Sequence, residues 1–296
     1  MSQFRIGERW VGDNYPTYVI AEIGNNHNGD ANIAKKLIEM AHECKADAVK
    51  FQVKDIERAF SKELLDMPYE KYNSFGKTYR EHKQYLEFSH ETYKELQEYA
   101  RRVGIQFLAT PFEEYSLKFL DDLDVPAIKI ASFHMSDDNL LLKAAALQRP
   151  LIVSTGMSTI EEVDHAVEVL KSVGATFALL QCTSCYPTQL EDIHLSVIAE
   201  FKRKYNCVVG YSGHENGVSI AACSFFFGAR ILEKHFTLDR TMKGPDHAAS
   251  LEIKGMRMLV ERLREQETAV GVPNKRVLEC ELENRNKFRK IDKVMT

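Results

Sequence analysis

The chain has 296 residues, 44% of them apolar and 28% charged, with a formal net charge of −4. Near balance of charge excludes the basic footprint of a nucleic-acid binder, and the wealth of Leu, Ile, Val and Phe excludes disorder. The best apolar run, residues 221–229, falls far short of the ~20 residues of a membrane span, and Met1-Ser2-Gln3-Phe4-Arg5-Ile6 lacks the layout of a secretory signal, so a cytoplasmic protein with no membrane partner is expected.

In chain order, Phe4-Arg5-Ile6-Gly7 and Trp10-Val11-Gly12 predict a hairpin within residues 1–16. A β-rich stretch, 17–23, leads to a helix over 30–44 with Ala31, Ala34, Leu37, Ile38 and Ala41 on one face and Asp30 as N-cap. Strand 47–52 is followed by a polar, aromatic-rich insertion over 55–87 and a helix over 89–103. Strand and helix then alternate: strands 105–110, 127–131, 151–155, 176–181, 207–211 and 229–235, with helices 113–123, 138–147, 159–172, 194–205, 216–227 and 251–269. Most of the strands are continuous apolar runs, the mark of parallel strands buried on both faces. Strict alternation argues for an α/β protein with a parallel sheet, and the count of strands argues for its closure into a (β/α)8 TIM barrel. The expected division is the hairpin at 1–16, plugging the barrel's bottom, the barrel at 17–272, and a charged peripheral tail at 273–296.

Barrel enzymes carry their chemistry at the C-terminal ends of the strands. Glu22, Lys50, Gln52, Thr110, Lys129, Ser132, Ser154, Gln181, Ser184, Ser212, His214, Glu233 and His235 all fall in that register. A buried lysine without a partner is costly, so two lysines inside apolar runs point to a converging site for an anion. Neutral hydroxyls beside them suit phosphate or carboxylate oxygens, and a small phosphorylated acid is the expected ligand. His214 and His235 lie on adjacent strand ends near Glu22 and Glu233, a set suited to a divalent metal such as manganese, zinc or iron. His27, His134 and His247 are second choices. Cys182-Thr183-Ser184-Cys185 has redox spacing, but a buried strand end bearing two thiols is the favoured reading.

Several motifs resemble those of the sialic acid synthase family. They are Glu22-Ile23-Gly24-Asn25-Asn26-His27-Asn28-Gly29-Asp30, Val49-Lys50-Phe51-Gln52, Ala109-Thr110-Pro111-Phe112, Ser154-Thr155-Gly156-Met157, the stretch from Gln181 to Thr188, Gly210-Tyr211-Ser212-Gly213-His214, Glu233-Lys234-His235-Phe236-Thr237 and Gly244-Pro245-Asp246-His247. The resemblance runs in order over roughly residues 4–285. It implies a barrel enzyme, a PEP-dependent transferase that condenses phosphoenolpyruvate with an N-acylhexosamine or related sugar aldehyde to a 3-deoxy-2-keto sugar acid. It also implies a homodimer and a divalent metal, manganese first, with magnesium, zinc or cobalt as alternatives. Carried over by position, His214 and His235 hold the metal. Lys50, Thr110, Lys129, Ser132, Ser154, Ser184 and Ser212 hold phosphoenolpyruvate, and Glu22, Gln52, Tyr186 and Asp246 surround the reacting centre and the sugar.

The chain departs from the family pattern after Lys129, where Ile130-Ala131-Ser132-Phe133-His134-Met135 lacks the usual sugar-contacting acid. That role is expected to pass to His134, or to Asp137 or Asp138. Ser184 stands where the family has Asn. A C-terminal antifreeze-like domain, which in the family lends an arginine to the partner's acceptor site, is expected to be missing, since the sequence ends at Thr296. An enzyme using the same donor with a shorter aldehyde, or an idle ligand-binding barrel, are the competing expectations.

Overall fold

The computed structural model describes residues 2–289, so Met1 and residues 290–296 of the expected tail lie outside the described residues. Strands β1 (Gln3–Ile6) and β2 (Arg9–Gly12) form the antiparallel hairpin. Strands β3 (Tyr18–Gly24), β4 (Ala48–Val53), β5 (Gln106–Pro111), β6 (Ile128–Ile130), β7 (Leu151–Ser154), β8 (Phe177–Cys182), β9 (Val208–Gly213) and β10 (Ile231–His235) follow. They form a closed barrel in chain order, with every neighbouring pair parallel and β10 pairing with β3 across the seam. This is the expected (β/α)8 barrel.

The strand alternation explains both layers. Outward residues such as Val19, Ala21, Ile23, Val49 and Phe51 pack with the helix faces, including Ala34, Leu37, Ile38 and Ala41 of helix Ala31–Glu43, into one core. That helix starts where Asp30 accepts the Asn32 amide at 2.7 Å. Inward residues of the lower barrel, Tyr18, Ile20, Ala48, Leu108, Ile152, Ala178, Leu180, Val208 and Ile231, form a second core that Phe4, Ile6 and Val11 of the hairpin complete. Gln106 at the foot of β5 donates to the Ile6 carbonyl at 2.9 Å. The hairpin therefore closes the bottom of the barrel.

The insertion is more ordered than its polarity predicts. It contains helices Ile56–Ala59, Lys62–Leu65 and Tyr79–Leu86, the last set by a reciprocal capping box between Thr78 and Glu81. Beyond helix Ile253–Val270 the described tail carries a short helix, Leu282–Phe288, with no buried residue. Among the described residues no helix is long and apolar enough to cross a membrane. All six cysteines are free.

Candidate active site

Two residues above each apolar inward position, the barrel interior turns polar. Glu22 follows Ile20, Lys50 follows Ala48, Thr110 follows Leu108, Lys129 follows Ala127, Ser154 follows Ile152, Cys182 follows Leu180, and Glu233 follows Ile231. The period of two along a strand keeps each of these side chains inside. They line a cavity of about 450 Å³ at the C-terminal end of the strands. Gln52, Ser132, Ser184, Tyr186, Ser212, His214, His235 and Asp246 line it as well.

The two lysines differ in their company. Lys50 lies 2.6 Å from Glu22, 3.7 Å from Glu233 and 3.0 Å from the Thr110 hydroxyl. Burial opposes its charge, but the two carboxylates outweigh burial and raise its affinity for the proton. Lys129 donates to the Ser154 hydroxyl at 2.6 Å and the Ile130 carbonyl at 3.0 Å. No carboxylate of the described residues lies within 4.0 Å of it, and burial lowers its pKa despite the field of Glu233. Glu233 itself, which burial alone would protonate, is held on the acidic side by Lys50 and Lys129. The inner end of the cavity therefore holds a cation that the protein leaves largely unanswered. Around it the hydroxyls of Ser132 and Ser184 converge on Gly156, whose amide donates to Ser132 at 3.0 Å. A Cβ at Gly156 would overlap Ser184 and come within 2.8 Å of the Ser132 oxygen, so glycine is what allows the backbone this close.

His214 and His235 face each other with ring centroids 5.5 Å apart, and the Tyr186 ring lies 4.1 Å from the former. The Nδ1 of His214 lies 2.8 Å from the Thr183 carbonyl, which can only accept, so Nδ1 carries the hydrogen and Nε2 keeps its lone pair. Burial lowers its pKa to about 3, which keeps the ring neutral. His235 has a buried Nδ1 with no hydrogen-bond partner. A neutral imidazole oriented by a carbonyl beside a second imidazole with an unsatisfied nitrogen fits a divalent metal's needs. Among the described residues no group of three or more His, Cys, Asp or Glu has metal-holding geometry, so the fit is that of a two-imidazole site whose other positions fall to water or ligand.

Some expectations need correction. His134 does not line the cavity: it sits on the single turn Ser132–His134, its Nε2 is 3.0 Å from the Phe112 carbonyl, and its Nδ1 is 3.6 Å from Asp137. Asp137 caps helix Asp138–Ala146 by accepting the Leu140 amide at 3.0 Å, and Asp138 pairs with His165 at 2.8 Å; neither lines the cavity. Gln181 points outward to the Ile193 carbonyl, and Cys182 takes the inward place at the end of β8. Burial keeps the Cys182 thiol protonated, while Cys185 is exposed. His27 and His247 are buried away from the cavity, the first stacked on Phe88 at 4.1 Å and the second 2.6 Å from the Thr237 hydroxyl. Sequence reasoning missed Asn25, which donates to Asp246 at 3.3 Å, and the wall that the insertion supplies through Phe60, Tyr79 and Lys83.

Residues 37–275 match the profile of the NeuB family. Over 283 residues the chain is 44% identical to N-acetylneuraminate-9-phosphate synthase of Homo sapiens, spanning 95% of this chain and 79% of that protein. It is 38% identical over 278 residues to N,N'-diacetyllegionaminic acid synthase of Campylobacter jejuni, spanning 93% and 83%. The crystal structure of N-acetylneuraminic acid synthetase from Leptospira borgpetersenii, in complex with citrate, superimposes with a TM-score of 0.85 at 32% identity over 98% of each chain.

Proposed function

This chain belongs to the NeuB family, and from that premise we propose that it condenses phosphoenolpyruvate with an N-acylhexosamine or related sugar to give a 3-deoxy-2-keto sugar acid and phosphate. The observation that carries this reading is the polar cavity above the apolar barrel core, with one unanswered lysine, a ring of hydroxyls and two facing imidazoles. C3 of phosphoenolpyruvate attacks the sugar's aldehyde carbon and forms the new C–C bond. The electron-poor C2 takes up water, and the tetrahedral centre expels inorganic phosphate to leave the keto acid.

In this reading Lys129 and Lys50 balance the donor's carboxylate and phosphate, and Thr110, Ser132, Ser154, Ser184 and Ser212 donate to its oxygens. Glu22, fixed by Gln52 at 2.9 Å and Lys50 at 2.6 Å, directs the attacking water and takes its proton. Gln52, Tyr186 and Asp246 border the acceptor. His214 and His235 would hold a divalent metal, manganese first, which when bound supplies Lewis-acid polarisation of the aldehyde oxygen. The names of relatives divide on the acceptor: the human protein's product carries a 9-phosphate and the Campylobacter product carries none. The same reading makes the protein a cytoplasmic homodimer, which free cysteines and light scattering in solution respectively support and test. The direct experiment follows phosphate release from phosphoenolpyruvate with manganese and a panel of aldoses, with mass spectrometry of the product. Release that depends on an N-acylhexosamine supports the reading. Release with a shorter aldehyde alone, or none with any, overturns it.

A further inference from the structure

Behind the two facing histidines, on the outer side of the barrel wall, the ends of β9 and β10 carry a buried ion pair. Outward positions of the barrel strands are apolar almost throughout, as at Ala21, Val49, Phe51, Val153, Leu179 and Leu232. Lys234, between the inward Glu233 and His235, is the one charged residue at an outward position in the described barrel strands. Its side chain is buried, and so is that of Glu215, the residue after His214. The ammonium lies 3.3 Å from the Glu215 carboxylate and donates to the Glu215 backbone carbonyl at 2.6 Å. Tyr211 of β9 donates its hydroxyl to the other oxygen of that carboxylate at 2.8 Å.

Stability alone is a poor account of this pair. Taking two charges out of water costs about what their attraction returns, and well-packed apolar residues in the same space are often as stable or more so. Where the sheet stops gives a better one. The ladder between β9 and β10 ends at Gly213 opposite Lys234, so His214 lies one residue beyond the last paired position, while His235 is still paired with Glu22 of β3. Past that point Lys234 makes the connection with its side chain. Rooted in β10 next to His235, it grips both the carboxylate and the backbone carbonyl of the residue that follows His214. Gly213 shows how close the cluster lies to this stretch of chain: a Cβ there would fall 2.5 Å from the Tyr211 ring and 2.6 Å from the Glu215 carboxylate.

We propose that Lys234 is a positioning residue: by bonding to the chain at Glu215 it sets His214 against His235 so that the two imidazoles can share one divalent ion. The proposal rests on the metal reading of that histidine pair. The Thr183 carbonyl fixes the rotation of the His214 ring, and Lys234 fixes the backbone from which the ring projects. Supports of this kind, one bond removed from a metal ligand, are worth roughly 10- to 100-fold in metal affinity.

The test combines Lys234→Met with Glu215→Gln, which removes both charges and strands neither. Manganese affinity by calorimetry should fall roughly 10- to 100-fold, while phosphoenolpyruvate affinity measured without metal changes little. Tyr211→Phe, which releases one oxygen of Glu215, should weaken manganese in the same direction by a smaller factor, and it carries the test if the double variant does not fold. A purely structural pair would lower the urea midpoint and leave manganese binding as it was, and that result overturns the proposal. An equal loss of donor affinity, the sign of general damage to the barrel mouth, overturns it as well. A second measurement needs no metal. The Thr188 amide donates to the His214 carbonyl at 3.2 Å, so in hydrogen exchange it should open faster in the variants while the amides of β4 and β7 keep their protection. If the wild-type protein binds manganese no better than a variant lacking both histidines, the metal reading falls. Faster exchange confined to Thr188 and its neighbours then still supports Lys234 as the group that places His214, and unchanged exchange overturns it.

Discussion

Lys129 is a cleaner probe of the donor site than Lys50. Removing Lys50 would strand Glu22 and Glu233, which it serves at 2.6 and 3.7 Å, and would confuse loss of binding with loss of stability. Lys129 has no carboxylate of the described residues within 4.0 Å, only the longer-range field of acids such as Glu233, so Lys129→Met removes a charge that the protein itself answers far less than it answers Lys50. Phosphoenolpyruvate affinity should fall roughly 10- to 150-fold by calorimetry, while the urea midpoint stays equal or rises. A variant that is both destabilised and unchanged in affinity would refute this. The histidine pair is tested by His214→Ala with His235→Ala: manganese binding should disappear from calorimetry with the far-ultraviolet circular dichroism retained. Most of these side chains were legible in the sequence because a polar residue two places above an apolar inward one must itself point inward. Gln181 misled for the same reason inverted. It is the more polar neighbour of Cys182, but the alternation set by Leu180 sends it outward. His134 could not be placed because the chain leaves β6 as a single tight turn, and strand register says nothing about a turn.

At the level of elements, the barrel was readable and the insertion was not. Continuous apolar runs specify buried strands regardless of context, whereas the insertion's helices Ile56–Ala59 and Lys62–Leu65 are too short to show a period. Helix Tyr79–Leu86 exists through its capping box, in which Thr78 accepts the Glu81 amide at 3.2 Å and Glu81 accepts that of Thr78 at 3.4 Å. Thr78→Ala should cost about 1 kcal/mol of local stability. Because the helix carries Tyr79 and Lys83 but no donor-end residue, the variant should raise the acceptor KM several-fold and leave phosphoenolpyruvate affinity within twofold. A matching loss of donor affinity would show that the insertion organises the whole cavity.

Across the whole molecule, buried histidines should lower stability on the acid side. Burial lowers the pKa of His27 to about 3 and that of His82 to about 4, each from 6.5. The unfolded chain therefore takes up protons below pH 6.5 that the native protein refuses, and stability falls as pH drops from there toward 4. Each such group contributes a slope of up to about 1.4 kcal/mol per pH unit. Urea titrations between pH 6.5 and 4.5 should show this slope, and His27→Gln should reduce it by about one proton whatever it does to stability at pH 7. An unchanged slope would mean that His27 is protonated in the native state.

The pairing of His235 with Glu22 across the seam between β10 and β3 has a kinetic corollary. These partners stand at opposite ends of the barrel's stretch of chain, so the last ring of contacts to zip up is the one that assembles the site. An order of events follows: helices and early strand pairs can form while the cavity is still open on one side, and no ligand can be held until the seam joins. In refolding from urea, the circular-dichroism signal should therefore recover ahead of phosphoenolpyruvate binding, with the lag independent of ligand concentration. Simultaneous recovery of both signals would mean that the ends meet first and the middle of the chain condenses between them.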